Sequence, residues 1–153
     1  MHDTAQDIYY MEQALALARR AADEGETPVG AVVVRDGAVI GRGYNLREQK
    51  KHALAHAELL AIDEACRTLG GWRLHGCTLY VTLEPCPMCA GGIINARLDR
   101  VVFGTADPKA GSFGSLVRLT DFPYNHKPEI IGGVLAEESA DLLRDFFRAL
   151  RKK

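Results

Sequence analysis

The sequence predicts an α/β fold in which a mixed sheet carries helices on both faces. Three observations predict it. Segments of helical period alternate with β-branched runs along the chain. Asp36-Gly37, a strong two-residue turn signal, joins two such runs into an antiparallel hairpin. The later strands are separated by helices, and a helical crossover favours parallel pairing. The chain has 153 residues, 47% of them apolar and 25% charged, which suits one domain (residues 1–153) with a substantial core and no need of disulfides.

The elements follow in order. Over residues 6–24, Ile8, Met11, Leu15, Ala18 and Ala22 recur at steps of three and four, a helix with one apolar face that Gly25 stops. Residues 29–35 and 38–44 are the two arms of the hairpin, and residues 45–55 read as a polar loop. A second helix is expected from His56 to Leu69, with Leu59, Leu60, Ile62 and Ala65 for burial, until Gly70-Gly71 breaks it. Trp72 is expected to pack between this helix and the next strand, and Cys66 to be a small buried apolar residue. The strand is Cys77–Leu83. Pro85-Cys86-Pro87 then opens a third helix to about Ala96, since proline suits a first helical turn. A short strand at 100–104 precedes a Gly- and Pro-rich stretch at 105–128, too long for an idle connection and suited to a binding loop. Residues 129–134 are a last strand, the fifth, and Leu135–Leu150 a terminal helix ending in Arg151-Lys152-Lys153.

Charge restricts the partners. The formal net charge is -1, so no global basic field points to nucleic acid, and such a partner must be met by a local patch. Arg144, Arg148, Arg151, Lys152 and Lys153 make the tail basic, the sole charge feature directed toward phosphate. Met1-His2-Asp3-Thr4 does not start a signal peptide, no run has the length and apolarity of a membrane span, and the four cysteines need no disulfide framework. A cytoplasmic location without membrane association is the expectation.

Chemistry concentrates in two places: His56-Ala57-Glu58 at one helix start, and Pro85-Cys86-Pro87-Met88-Cys89 at the next. Cys86 and Cys89, three apart on a first helical turn, present both sulfurs to one side, and a helix N-terminus favours thiolate over thiol. His56 supplies a third zinc ligand. Three protein ligands are the pattern of catalytic zinc, which can bring the pKa of a bound water to about 7. Glu58, two residues from His56, is the carboxylate to shuttle protons. A lone C-x-x-C would equally serve structural zinc or a redox pair. In this order, however, the two segments match the H-x-E…P-C-x-x-C signature of zinc nucleobase deaminases, and a redox pair leaves Glu58 unexplained.

Beyond the zinc motif, the chain resembles the bacterial tRNA adenosine deaminases of the cytidine deaminase superfamily over nearly its full length. The resemblance rests on Thr27-Pro28-Val29-Gly30-Ala31-Val32, Gly43-Tyr44-Asn45, Ala55 to Glu58, Thr78 to Ala90, Val101 to Gly104, Asp107-Pro108-Lys109, Gly114-Ser115-Leu116, Asn125-His126 and Asp145 to Arg148. It implies a three-layer α/β/α domain with a mixed five-stranded sheet, a homodimer, one Zn2+ per subunit, and an anticodon stem-loop partner. The implied reaction converts adenosine to inosine at the wobble position of an arginine tRNA, by zinc-activated hydroxide attack at C6. By the same resemblance His56, Cys86 and Cys89 are the ligands, Glu58 the shuttle and Asn45 a contact to the flipped base. Ala57 and Pro85 would hold water or leaving group through backbone. Asp107, Lys109, Asn125, His126, Phe146 and Arg148 would meet the RNA. Several relatives carry Asp-Pro-Thr before the His-Ala-Glu, where this chain has Ala53-Leu54-Ala55 after His52, to which no role is assigned.

Read without the family, Asn45 and Asp107-Pro108-Lys109 are also plain turn residues, and Asn125-His126 a loop cap. Phe146 and Phe147 are adjacent and cannot share a helix face, so one packs while the other is free to stack. Two rival functions share the zinc motif: a deaminase of a free base or nucleoside (guanine, cytosine, cytidine), and a silent zinc protein that only binds RNA, against which the intact Glu58 argues.

Overall fold

The structure, a computed structural model, describes residues 4–152. Met1 to Asp3, where a leader was judged absent, and Lys153 of the basic tail lie outside the described residues.

Five strands form one sheet in the order β2-β1-β3-β4-β5, from β1 (Gly30–Arg35), β2 (Ala38–Tyr44), β3 (Cys77–Leu83), β4 (Arg100–Thr105) and β5 (Glu129–Gly132). The hairpin is antiparallel, and its turn is made by Asp36 and Gly37, both at positive φ (50° and 77°), as a primed two-residue turn requires. β3, β4 and β5 run parallel to one another, but β1 lies antiparallel between β2 and β3. β2 and β3 are joined through a helix and do not pair, which departs from the sequence expectation. The strand laid down before β2 already occupies the intervening place.

Side chains alternate across the sheet. Ala31, Val33, Leu79, Val81, Val101 and Phe103 face α3 (Ala57–Leu69) and α4 (Pro87–Asn95). Val32, Val34, Tyr80 and Val102 face α1 (Thr4–Asp23), with α5 (Ala136–Arg151) beside it against β4. This is the α/β/α layering expected.

The helices approach the sheet more closely than their apolar patterns suggest. A Cβ on Gly41 would fall 2.2 Å from the Ala61 carbonyl oxygen, and one on Gly43 2.4 Å from that of Ala57. Only small residues fit between. The buried face of α3 is therefore Ala57, Glu58, Ala61 and Ala65, while Leu59, Leu60 and Ile62 are only half-buried. On α1 the buried face is Asp7, Tyr10, Met11, Ala14, Leu15, Ala18 and Ala21, with Ile8 and Ala22 at its margin. Asp7 is held there by Arg100 (2.7 and 2.9 Å) and by the Tyr80 hydroxyl (2.8 Å).

Three further differences are local. Residues 45–55 include a four-residue helix, α2 (Arg47–Lys50). Trp72 is 50% exposed, with the guanidinium of Arg73 4.2 Å above its ring, rather than packed inside. Cys66 is half-buried at the edge of the core.

Candidate active site

The two chemical segments meet at the carboxyl ends of β2 and β3, the ends at which open α/β sheets commonly bind ligands. His56 is the N-cap of α3 and Cys86 the N-cap of α4. Both helices thus point their amino ends at one spot. The extended backbone of the two caps (ψ 150° and 173°) turns each side chain inward across the helix start. Pro87, the first residue of α4, sets the helical φ where no N–H is needed, and Cys89 follows two positions on.

The result is a cluster of three ligand atoms. His56 Nδ1 lies 3.7 Å from Cys86 Sγ and 3.5 Å from Cys89 Sγ. A tetrahedral zinc ion bonded at about 2.3 Å to sulfur and about 2.0–2.1 Å to nitrogen would hold such atoms about 3.6 Å apart. The donor set fits zinc in spacing and in softness. Among the described residues, this is the one cluster of His, Cys and acidic groups placed to share an ion, and it has three members. A three-ligand set is the catalytic rather than the closed structural pattern.

Electrostatics agree. The Cys89 thiol hydrogen-bonds the Cys86 sulfur, and with the His56 ring it brings Cys86 down to about 4, a thiolate at neutral pH. The same contact to Cys86, with burial, pushes Cys89 up, and contact with Cys86 raises His56. The protein's own groups hold a proton between the two sulfurs that a metal would displace. Glu58 is 4% exposed on the buried face of α3, and burial pushes its carboxyl up to about 7. It lies against the Cys89 thiol.

The cluster opens into a cleft lined by Thr27, Val29, Asn45, Arg47, His56, Ala57, Glu58, Leu83, Glu84, Cys86, Asp107 and Ala110. Asn45 is buried there: its Oδ1 accepts from the Arg47 N–H (3.1 Å), and its Nδ2 donates to the Thr27 carbonyl (3.4 Å). That uses one donor and one acceptor of an amide that has two of each, so turn formation and base recognition are compatible. Asp107 likewise makes its turn, Oδ1 accepting from Lys109 (3.0 Å) and Ala110 (3.3 Å) N–H groups, while lining the cleft. A second groove adjoins the first, sharing Thr27, Arg47, Leu83 and Asp107 and adding Lys109 and Phe147.

The remaining predicted residues spread out. Pro85 is buried, its carbonyl accepting from the Ser112 N–H (2.9 Å). Phe146 is half-buried and edge-on to Phe147, and Phe147 (41% exposed) is the ring in the groove. Arg148 is exposed beside Asp145 (3.9 Å). Asn125 and His126 lie apart from the cleft, in a surface depression with Asn95, Arg97 and Tyr124, where the His126 ring contacts the Leu98 carbonyl.

Three wall residues escaped the sequence reading. Arg47 and Thr27 line both depressions; Thr27 opens one of the stretches shared with the family but was given no role, and nothing in the local sequence marks Arg47. The third is Glu84, a buried carboxylate between an apolar strand and Pro85-Cys86. An acidic residue directly after a buried strand was the available signal.

Comparison with known proteins agrees with this geometry. Residues 5–151 match the model of the MafB19-like deaminases. The tRNA-specific adenosine deaminase of Bacillus subtilis (strain 168) is 53% identical over 149 residues, 97% of this chain and 92% of that protein. The tRNA-specific adenosine deaminase of Streptococcus pyogenes (serotype M18) is 42% identical over 97% of this chain and 94% of its own. A solved structure from studies of A-to-I editing by tRNA:A34 deaminases at the wobble position of transfer RNA superposes with a TM-score of 0.86. It is 46% identical, covering 88% of this chain and 99% of that one. The chain belongs to the MafB19-like deaminase family and, within it, to the bacterial tRNA-specific adenosine deaminases.

Proposed function

We propose that this protein hydrolyses the C6 amino group of the wobble adenosine in a tRNA anticodon, that of an arginine tRNA, giving inosine and ammonia. The observation that carries the reading is the three-ligand cluster at the base of a cleft walled by Glu58 and Asn45, in a chain of this family. His56, Cys86 and Cys89 would hold one Zn2+ per subunit. When bound, zinc supplies Lewis acidity that brings a water molecule to the point of ionisation near neutral pH.

The protein's own groups do the rest. Glu58, in a buried setting that favours a retained proton, takes the proton of the attacking water. It delivers that proton to ring N1, then moves the second proton, from the added hydroxyl, to the departing amine nitrogen. Asn45, fixed by Thr27 and Arg47, orients the base edge. The backbone at Ala57 and Pro85 borders the reacting group. Asp107 accepts from a ribose hydroxyl, and Lys109 and Arg148 meet phosphate. Phe147, rather than Phe146, stacks on a neighbouring base because it is the ring in the groove. Asn125 and His126 serve a more distant part of the RNA surface. The same reading carries a homodimer and a cytoplasmic location. Among the described residues no helix is long and apolar enough to cross a membrane.

The test is inosine formation in an anticodon stem-loop and in bulk tRNA, with free guanine, cytosine and cytidine in parallel. Inosine in RNA with no ammonia from free bases is expected; ammonia from a free base alone would overturn the substrate. Cys86→Ala is expected to lose the metal, and unchanged zinc by elemental analysis would refute the ligand set.

A further inference from the structure

Glu84 belongs to no part of the chemistry just described, yet it is the most heavily hydrogen-bonded side chain near the cleft. It is 1% exposed. It follows the last residue of β3 and stands two residues before Cys86, with its own N–H donating to the Thr105 carbonyl (2.9 Å). Its carboxylate accepts from the N–H groups of Asp107 (3.0 Å), Phe113 (3.1 Å) and Ser115 (3.1 Å), and from the Ser115 hydroxyl. These donors all come from one irregular segment, residues 107–115, which wraps around a single group.

The segment is shaped to do so. A Cβ on Gly111 would fall 2.3 Å from Glu84 Cδ and 2.4 Å from Oε1, so the chain closes over the carboxylate only because residue 111 has no side chain. A second strap runs from the Ser112 N–H to the Pro85 carbonyl (2.9 Å). Both straps end on the turn that presents Cys86. The outer side of the same segment supplies Asp107 and Ala110 to the base cleft and Lys109 to the adjoining groove.

We propose that Glu84 is a positioning residue: its carboxylate ties the 107–115 loop to the metal-binding turn and so sets the wall that grips the target nucleotide and its neighbour. The substrate in this statement rests on the tRNA deaminase reading. Four donors need the acceptor capacity of a carboxylate. A glutamine offers one carbonyl oxygen and turns an NH2 toward backbone N–H groups. The loop's hydrogen bonds to the turn end on Glu84 and the Pro85 backbone and not on the side chains of His56, Cys86 or Cys89, so the loop acts on binding of the RNA rather than on the reacting group. Loosening it raises KM more than it lowers kcat.

The experiment uses the zinc-loaded full chain, with Glu84→Gln and, as a milder variant, Ser115→Ala, which leaves the metal-binding turn intact. Amide exchange at Asp107, Phe113 and Ser115 is expected to rise about tenfold or more in Glu84→Gln with zinc content at the wild-type level. KM for an anticodon stem-loop is expected to rise about tenfold while kcat stays within about threefold, and Ser115→Ala to shift KM the same way by a smaller factor. Unchanged exchange at the three amides overturns the tether. Parallel loss of kcat, zinc and folded fraction, without a KM split, assigns Glu84 to general stability and overturns its positioning role. If Glu84→Gln does not fold, an unchanged KM in Ser115→Ala overturns the proposal by itself. A wild-type protein that makes no inosine refutes the substrate reading, while the exchange measurement still decides the tether.

Discussion

Glu58 and Glu84 are the same side chain, both buried, both on the wall of one cleft, and their protonation is pushed in opposite directions. Burial raises Glu58 to about 7. Burial also acts to raise Glu84, but the Ser115 hydroxyl and the N–H groups of Asp107, Ser115 and Phe113 outweigh it and hold that carboxyl below the usual range. Desolvation penalises the charge in both, and donors decide the outcome. Glu58, in the first turn of α3, gains its own backbone N–H, but burial outweighs that donor, so it stays able to hold a proton. Glu84 accepts from the N–H groups of Asp107, Phe113 and Ser115 and from the Ser115 hydroxyl, so it stays ionised. One group is left free for proton transfer while its neighbour is saturated for architecture.

The largest test of this contrast is Glu58→Gln. Turnover is expected to fall by about 10²–10⁴ with zinc content unchanged, and near-wild-type turnover in a kinetic assay would break the assignment. Glu84→Ala is expected instead to cost about 3 kcal/mol of stability, read by thermal or denaturant unfolding, because three loop N–H groups lose a buried acceptor. A loss under about 1 kcal/mol would mean that water or a rearranged loop replaces it.

The two carboxylates also predict opposite pH slopes in the metal-stripped protein. The folded form of Glu58 binds its proton more tightly than the ordinary value of 4.5, so stability falls as pH rises from about 4.5 to about 7. Glu84 is depressed, so its contribution is present above the usual carboxylate range and is lost as pH falls through its lowered value. Glu58→Gln should flatten the upper slope and Glu84→Gln the acid one. A bound dication would itself hold Glu58 ionised, so the upper slope should vanish when zinc is restored. The smallest effect expected is on Phe147→Ala, a rise in KM for the stem-loop of about fivefold, with Phe146→Ala acting mainly on stability. The reverse pattern would exchange the roles of the two rings.

What was legible in the sequence was what is local. The spacing of Cys86 and Cys89, the proline at Pro87 and the positive-φ turn at Asp36-Gly37 are each decided within a few residues, and the structure has them where the pattern places them. The last strand, expected over residues 129–134, is present but shorter, Glu129–Gly132. Strand order was not legible, because the pairing of β1 with β3 joins residues 42 to 50 apart in the chain and leaves no periodic trace. The packing face of α3 was misplaced toward its leucines, since apolarity ranks Leu59 and Leu60 above Ala61. The glycines of β2 leave room only for alanine. The burial of Glu84 and of Glu26, which accepts from the N–H groups of Glu48 (3.0 Å) and Gln49 (2.7 Å), depends on donors distant in the chain and was not read from the sequence.

The seating of α3 on Gly41 and Gly43 has a mechanical consequence. With no side chain to act as a cushion, the outermost strand bears on the carbonyls of Ala61 and of Ala57, the latter one residue from His56. A push on that strand reaches the ligand through backbone alone. Even a single methyl added at Gly43 would press on the Ala57 carbonyl, lever the first turn of α3 outward and detune the cluster.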